Sequence, residues 1–542
     1  MREADAAQTM EWHMDHPAAP PDSLRSIDLF VALSLAADLA LGLPTGHGVR
    51  ACYIGMHLAD ELGLAQDQRA DLFYTALLMD AGCTAWTSQI ATTILGDDLD
   101  ARRDLFFFRD YGDPREVLKW LARYMAAGAG LGTRAKRIVG FGLHGKEFMV
   151  EGMRNTADVA ARLADRLDRS PEVQGALRSV FEQWDGSGPR GQRAGAIPII
   201  SRIVYATIFL EVFHQVGGRE AAVKIAQARR GKALDPTVVA AFGRLAADDR
   251  FWQGLEDETI WELIRRLEPD SSARYIGEAR LDEAARAFAD FADLKSFYSA
   301  GHSRRVAALA ERVASQLALA PTGIIAIRRA ALLHDIGLVG VPSFVLHKPE
   351  GRLSAAEWEN LRLHPYHAER ILARVPAFMP LLPLVAAHHE RPDGQGYHRG
   401  LKQDQIPLGA RIIAVADAFD DLTHAGPGRA AHEPDAALDE MGRGVGTRFC
   451  PDAFSALVRA LGHAGTISGS TGPKRAWPAG LTDREVEVLR ALTTGASRRA
   501  IADRLSVSEH TIRHHLEHIY GKIDAHTRVA ATLFAIEHDL LP

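Results

Sequence analysis

Cysteine is scarce: Cys52, Cys83 and Cys450 are the only three in 542 residues, and no two form a C-x-x-C pair. That excludes a disulfide framework and a thiolate zinc site, and it suits a reducing compartment. Long apolar runs are missing too. Without about 18 uninterrupted apolar residues no membrane span is expected. The stretch from Met1 to Pro21 lacks the basic-then-apolar layout of a secretion leader. It carries acids, His13 and His16, ends in prolines, and reads as a disordered polar tail over 1–24. Together these absences place the chain in the cytoplasm with no membrane partner. Charge of one sign does not dominate either: 63 Lys and Arg face 69 Asp and Glu, a net charge of −6. A protein that coats nucleic acid over its whole surface is excluded, while a local basic face is not. Strand signals are weak throughout, so the expected fold class is all-α.

What is present is an internal repeat. G-H-G-V-R-A-C-Y-I-G-M-H-L from Gly46 and G-H-S-R-R-V-A-A-L-A-E-R-V from Gly301 align at an offset of 255 residues. The offset pairs His47 with His302, Ala51 with Val306, Ile54 with Leu309, Leu58 with Val313 and Leu62 with Leu317, steps that trace one face of a helix. It continues to A-L-L-M-D-A-G and A-L-L-H-D-I-G, so Met79 stands where His334 stands, and Asp80 where Asp335 stands. A second match, E-Q-W-D-G-S-G from Glu182 and E-R-P-D-G-Q-G from Glu390, follows at a smaller offset. The first copy therefore holds extra residues between its halves, around Asp97 to Arg137. Two tandem helical domains are expected, 25–265 and 285–463, then a Gly/Ser-rich linker over 464–478 and a last domain over 479–542.

The second copy gathers metal-capable side chains: His302 at the start of an apolar helix, the pair His334 and Asp335, His364, the pair His388 and His389, and Asp417. An apolar core does not tolerate so many polar groups without a shared partner. Imidazole and carboxylate suit iron, manganese or zinc. Five histidines and two aspartates exceed one tetrahedral site but suit two divalent ions bridged by a carboxylate. Isolated histidines such as His57, His144, His214 and His367 read instead as hydrogen-bonded core residues. In the first copy only His47 and Asp80 survive. Val180 and Phe181 stand for the histidine pair and Ile208 for Asp417, so that copy is expected to be metal-free.

The order H…HD…H…HH…D, with the run D-G-x-G-Y, resembles the HD-GYP branch of the HD metal-dependent phosphohydrolases over about Leu294 to Phe454. The resemblance implies an all-α domain whose metal ligands are His302, His334, Asp335, His364, His388, His389 and Asp417, and which often cleaves cyclic di-GMP. Where some members hold a third metal with a Glu, this chain has Tyr298. The family's H-D-x-G-K lysine is Leu338 here, G-Y-P is Gly396-Tyr397-His398, and R-P-Y-R is Gly426-Pro427-Gly428-Arg429. The missing cations resemble those that hold substrate phosphates. His334, Asp335 and Arg429 are the expected catalytic residues, with Lys348 the other remaining cation of interest. The implied activity is phosphoester hydrolysis by a metal-activated water, with weak or no action on cyclic di-GMP. The alternative is a non-catalytic nucleotide or metal sensor that controls DNA binding.

The C-terminal segment opens L-T-D-R-E-V-E-V-L, in which Thr482 and Glu485 make a capping box. Ser497 and Ser508 precede two further helices. In the later one Ile512, Leu516, Ile519 and Ile523 form a core stripe opposite Thr511, Arg513, His514, Glu517 and Lys522. Two short helices with a tight connection are the layout of a helix-turn-helix. The wording from Leu481 to about Leu541 resembles the LuxR/FixJ-type domain, which implies four helices binding duplex DNA as a homodimer. Arg513, His514 and Glu517 fall at base-reading positions, while Arg498, Arg499 and Lys522 lie where phosphates are met. The segment from Ala479 carries eight basic and nine acidic residues, which predicts modest non-specific affinity. No receiver domain, P-loop or diguanylate cyclase motif is evident, so the input signal is not legible.

Overall fold

A computed structural model describes residues 24–108, 114–269, 275–462, 477–525 and 527–541. The expected N-terminal tail as far as residue 23, and the expected linker as far as residue 476, lie outside them. Among the described residues, regular structure is helical, apart from one antiparallel pair of two-residue strands, Leu24–Arg25 with Tyr275–Ile276. That pair ties the start of the first copy to the entry of the second.

Helix α1 (Ser26–Leu41) is buried on all sides, which explains an apolar sequence without a polar face. It packs between the two copies: in the first against α2 (His47–Glu61) and α3 (Gln66–Leu78), in the second against the short turn Ile336–Gly340. One hydrophobic core runs without a break from Ile27 to Ala460, so the two copies form one body. The long helices α4 (Leu131–Arg166) and α5 (Ile199–Arg229) complete the first copy. α5 is long and apolar enough to cross a membrane, but 72% of its apolar window is buried inside the body, and Gly217 and Gly218 interrupt its helical geometry. The second copy is built on α6 (Glu278–Asp293), α7 (His302–Gln316), α8 (Pro321–Leu333), α9 (His364–Leu372) and α10 (Leu408–Thr423).

The repeat has a backbone cause. α2 and α7 both begin after a glycine with positive φ, +92° at Gly46 and +70° at Gly301, a conformation that side chains with a Cβ resist. Asp38 accepts the Gly46 and Gly48 amides at 2.7 and 3.1 Å. Asp293, its counterpart at the same offset, accepts the Ser303 amide at 3.0 Å and its hydroxyl at 2.7 Å.

The C-terminal unit has a core of its own, formed by α11 (Asp483–Thr493), α12 (Arg498–Leu505), α13 (Glu509–Lys522) and α14 (Arg528–Glu537). The Thr482–Glu485 capping box and the Ser497 and Ser508 caps form as expected. The unit rests on the tandem body. Val529 of α14 joins the body's core, and Arg162 of α4 donates to the carbonyls of Ile523 and Asp524 at 3.3 and 3.0 Å.

Candidate metal centre and DNA-reading face

Helix ends deliver the second copy's seven polar residues to one point. His302 is the first residue of α7, His334 and Asp335 follow α8, His364 opens α9, and Asp417 sits on α10. They form two clusters, His302, His334 and Asp417 in one, Asp335, His364, His388 and His389 in the other. Asp335 joins them. Its Oδ2 lies 3.5 Å from His302 Nε2 and 3.4 Å from His334 Nε2. Its Oδ1 lies 3.4 Å from His364 Nε2 and 3.8 Å from His388 Nε2. Asp417 Oδ1 lies 3.2 Å from His302 Nε2 and 3.8 Å from His334 Nε2.

The imidazoles are oriented from behind. Nδ1 of His334, His364 and His388 lies 2.8, 2.8 and 2.6 Å from the carbonyls of Ala331, Leu361 and Val385. A carbonyl only accepts, so Nδ1 carries the proton and the Nε2 lone pair faces the centre, as a metal ligand requires. His302 does the same through Asp420, at 2.8 Å, which Arg305 in turn grips at 2.8 and 3.0 Å. Sequence reasoning missed Asp420. Its signal was the spacing: it follows Asp417 by three residues, on the same face of α10.

The electrostatics are divided. Burial and the neighbouring His334 and His364 push His388 down to about 3. Burial, with His388 and His364 as neighbours, holds His389 well below its ordinary range. Both are ready as neutral ligands. Burial alone would strip His302 of its proton, but Asp417 and Asp420 outweigh it and hold the group well above its usual value. Burial would likewise raise Asp335, yet His334, His364 and His302 keep it lowered. Largely buried carboxylates among imidazoles whose Nε2 atoms converge are a donor set that fits divalent cations.

Around the centre, Tyr397 stacks on His389 with ring centroids 4.7 Å apart. Glu390 holds the following loop by accepting the amides of Arg399, Gly400 and Leu401. Arg429 donates to the Leu422 carbonyl at 3.0 Å, donates to the Asp421 carbonyl, and pairs with the Asp421 carboxylate at 3.0 Å. Its guanidinium therefore braces the end of α10. Lys348 is paired with Glu357 at 2.6 Å.

In the first copy, His47 binds Glu211, which also takes Arg50, and the Asp80 carboxylate lies 3.8 Å from His47. The isolated histidines divide: His57 packs on Tyr53 and His214 on Trp252, while His144 is exposed rather than in a core, on a segment of α4 whose Ile138, Phe141 and Phe148 pack on a separate cluster around Trp86 and Trp120.

On the C-terminal unit, Arg498, Arg499, Arg513, His514 and Glu517 are exposed. Glu517 lies 3.7 Å from Arg513 and 3.5 Å from His514. Thr511 is half-buried, its hydroxyl 2.8 Å from that of Ser508. Lys522 turns inward to Glu485 at 2.6 Å and the Gly480 carbonyl at 3.1 Å.

Comparison with known proteins bears on both halves. A family described as HD domain matches residues 286–452, and one described as bacterial regulatory proteins, luxR family, matches 479–535. The 3'3'-cGAMP-specific phosphodiesterase 3 of Vibrio cholerae is 35% identical over 436 residues, 80% of this chain and 94% of its own length. The chain belongs to the HD-GYP phosphodiesterases. A solved structure of a cyclic GMP-AMP specific phosphodiesterase from V. cholerae aligns with a TM-score of 0.56 at 32% identity, covering 81% of this chain and 98% of that one. A cyclic di-GMP phosphodiesterase of Thermotoga maritima is 36% identical over 162 residues, 29% of this chain and 43% of that one. This HD-GYP protein thus joins a metal-dependent phosphodiesterase domain to a LuxR-type DNA-binding domain.

Proposed function

We propose that the second copy holds two divalent cations and cleaves a 3',3'-linked cyclic dinucleotide, with the mixed guanine–adenine molecule favoured over cyclic di-GMP. The observation that carries this reading is Asp335, whose two oxygens face two separate histidine clusters. Asp335 would bridge, with His302, His334 and Asp417 on one ion and His364, His388 and His389 on the other. Bound ions of this kind supply an acidified water as nucleophile and neutralise charge on the phosphoryl oxygens. The chain's own part is orientation: backbone carbonyls and Asp420 fix the imidazoles, and Tyr397 walls the site beside His389. The preference for the mixed dinucleotide rests on the V. cholerae relative that spans both copies, and on Leu338 standing where the resemblance to the HD-GYP family implies a lysine.

The LuxR-type domain, over 479–542, would bind duplex DNA as a homodimer in the cytoplasm, with Arg513 and His514 toward the bases and the tandem body, 25–265 and 285–463, behind it. A second reading, a sensor without turnover, is favoured by Leu338 and by the engagement of Arg429 with α10. Hydrolysis of 3'3'-cGAMP and of cyclic di-GMP by the metal-loaded full chain separates the two. Turnover of 3'3'-cGAMP that is lost in Asp335→Asn supports the enzyme. Saturable binding with no product supports the sensor.

A further inference from the structure

The first copy keeps a hole where the second has its metal centre. A cavity of about 60 Å³ is lined by the counterparts of four of the seven ligands. Asp80 stands for Asp335 and Ile208 for Asp417, and Phe181 stands for His389. Thr156 stands for His364: a Cβ on Gly82 would meet the Thr156 carbonyl, just as one on Gly337 would meet that of His364, both at 1.9 Å. Of these four counterparts only Asp80 keeps the ligand-type side chain, yet the space has not collapsed.

Besides Thr156, Tyr205, Cys83 and Trp86, two charged groups stand at this cavity's wall. Arg102 is committed, donating to the carbonyls of Cys83 and Ala40. Asp80 is not: its buried Oδ2 has no hydrogen-bond partner, and neither has the buried Nε2 of His47 3.8 Å away. A buried carboxylate oxygen left unpaired in apolar surroundings is costly, and a donor there removes the cost. The rest of the wall is mostly carbon. Phe106 and Phe181 are half-buried and stand at the rim, with Met153 behind them.

We propose that the first copy is a binding site for a small amphiphile, a short-chain alcohol or amine, whose donor sits on Asp80 and whose carbon chain lies among Phe106, Met153, Phe181 and Ile208. Size and charge exclude a cyclic dinucleotide: the cavity is far below the roughly 300–1,000 Å³ of drug-sized pockets, and its one cation is already engaged. This inference does not depend on turnover in the second copy.

The test uses the full chain and two isomers of equal size that fit the cavity, ethanol and dimethyl ether, of which only the alcohol can donate. Calorimetric titration should show saturable binding of ethanol, with the ether about tenfold weaker, one hydrogen bond's worth. Asp80→Ala should bring the alcohol down to the ether's level, and Ile208→Phe should abolish binding of both. Absence of saturable ethanol binding overturns the proposal, as do equal affinities for the two isomers in the unmodified chain, a comparison that needs no variant to fold. Unchanged binding in a folded Ile208→Phe variant would place the molecule elsewhere and overturn it too.

Discussion

His302, Asp420 and Arg305 in the second copy repeat His47, Glu211 and Arg50 in the first, residue for residue along the same helices. The triad survived where five of the seven metal ligands did not, which separates two jobs. In the first copy it is a buried charge network, His47 and Glu211 both within 1% of full burial. Breaking such a pair from one side costs about 3–5 kcal/mol, so Glu211→Gln should lower the urea midpoint markedly and leave the metal content unchanged. In the second copy the carboxylate orients a metal-facing imidazole, and Asp420→Asn should weaken metal affinity by roughly 10–100-fold. Protonation gives a further expectation. Burial opposes a charge on His47, but Glu211 prevails and raises the group to about 9. Its contribution is then complete below its unfolded value near 6.5 and is lost as pH rises through about 9. Burial raises Asp38 to about 7, which acts in the same direction, since ionising it costs stability. Urea unfolding should show a lower midpoint at pH 9.5 than at pH 6.5, and a flat profile over that range would contradict the network.

At the scale of elements, two glycines set the spacing between helices. A Cβ on Gly337 would lie 1.9 Å from the His364 carbonyl and 2.7 Å from the Ala368 amide, so the start of α9 would have to move. Gly337→Ala should therefore displace His364 and reduce metal occupancy, besides costing about 1–3 kcal/mol by overpacking. Gly82→Ala carries the same stability cost with no effect on metal, as metal analysis beside unfolding curves will show. The repeat of α2 in α7 was legible in the sequence because helical periodicity and the Gly-His start are both local signals. The ligand set was legible because seven ionisable side chains stand in otherwise apolar helices. Thr156 was not legible as the counterpart of His364, because the insertion between Asp97 and Arg137 breaks the offset and only the close approach at Gly82 identifies it. Nor were the partners of Lys522 and Arg429: whether a surface cation faces a ligand or its own helix end depends on a rotamer, which sequence pattern does not encode.

At the scale of the molecule, the DNA-binding unit shows its reading face to solvent while α14 is buried against the tandem body. The reading face is electrically muted, since Glu517 stands beside Arg513 and His514. Arg513→Ala should relax specificity at one position per half-site, by about 1–3 kcal/mol if the contact is a bidentate one to guanine. Replacing Arg498 and Arg499 together by Ala should weaken binding to all sequences and lower the salt slope by about two. Titrations across salt concentration read both outcomes. The account as a whole stands on two related copies of which one keeps a metal centre. The most direct measurement is metal content per full-length chain by mass spectrometry, in the unmodified protein, in Asp335→Asn and in Asp80→Asn. Two ions per chain, lost in Asp335→Asn and retained in Asp80→Asn, is the result expected of a carboxylate that bridges a two-metal site. Metal that survives Asp335→Asn, or that leaves with Asp80→Asn, would contradict it.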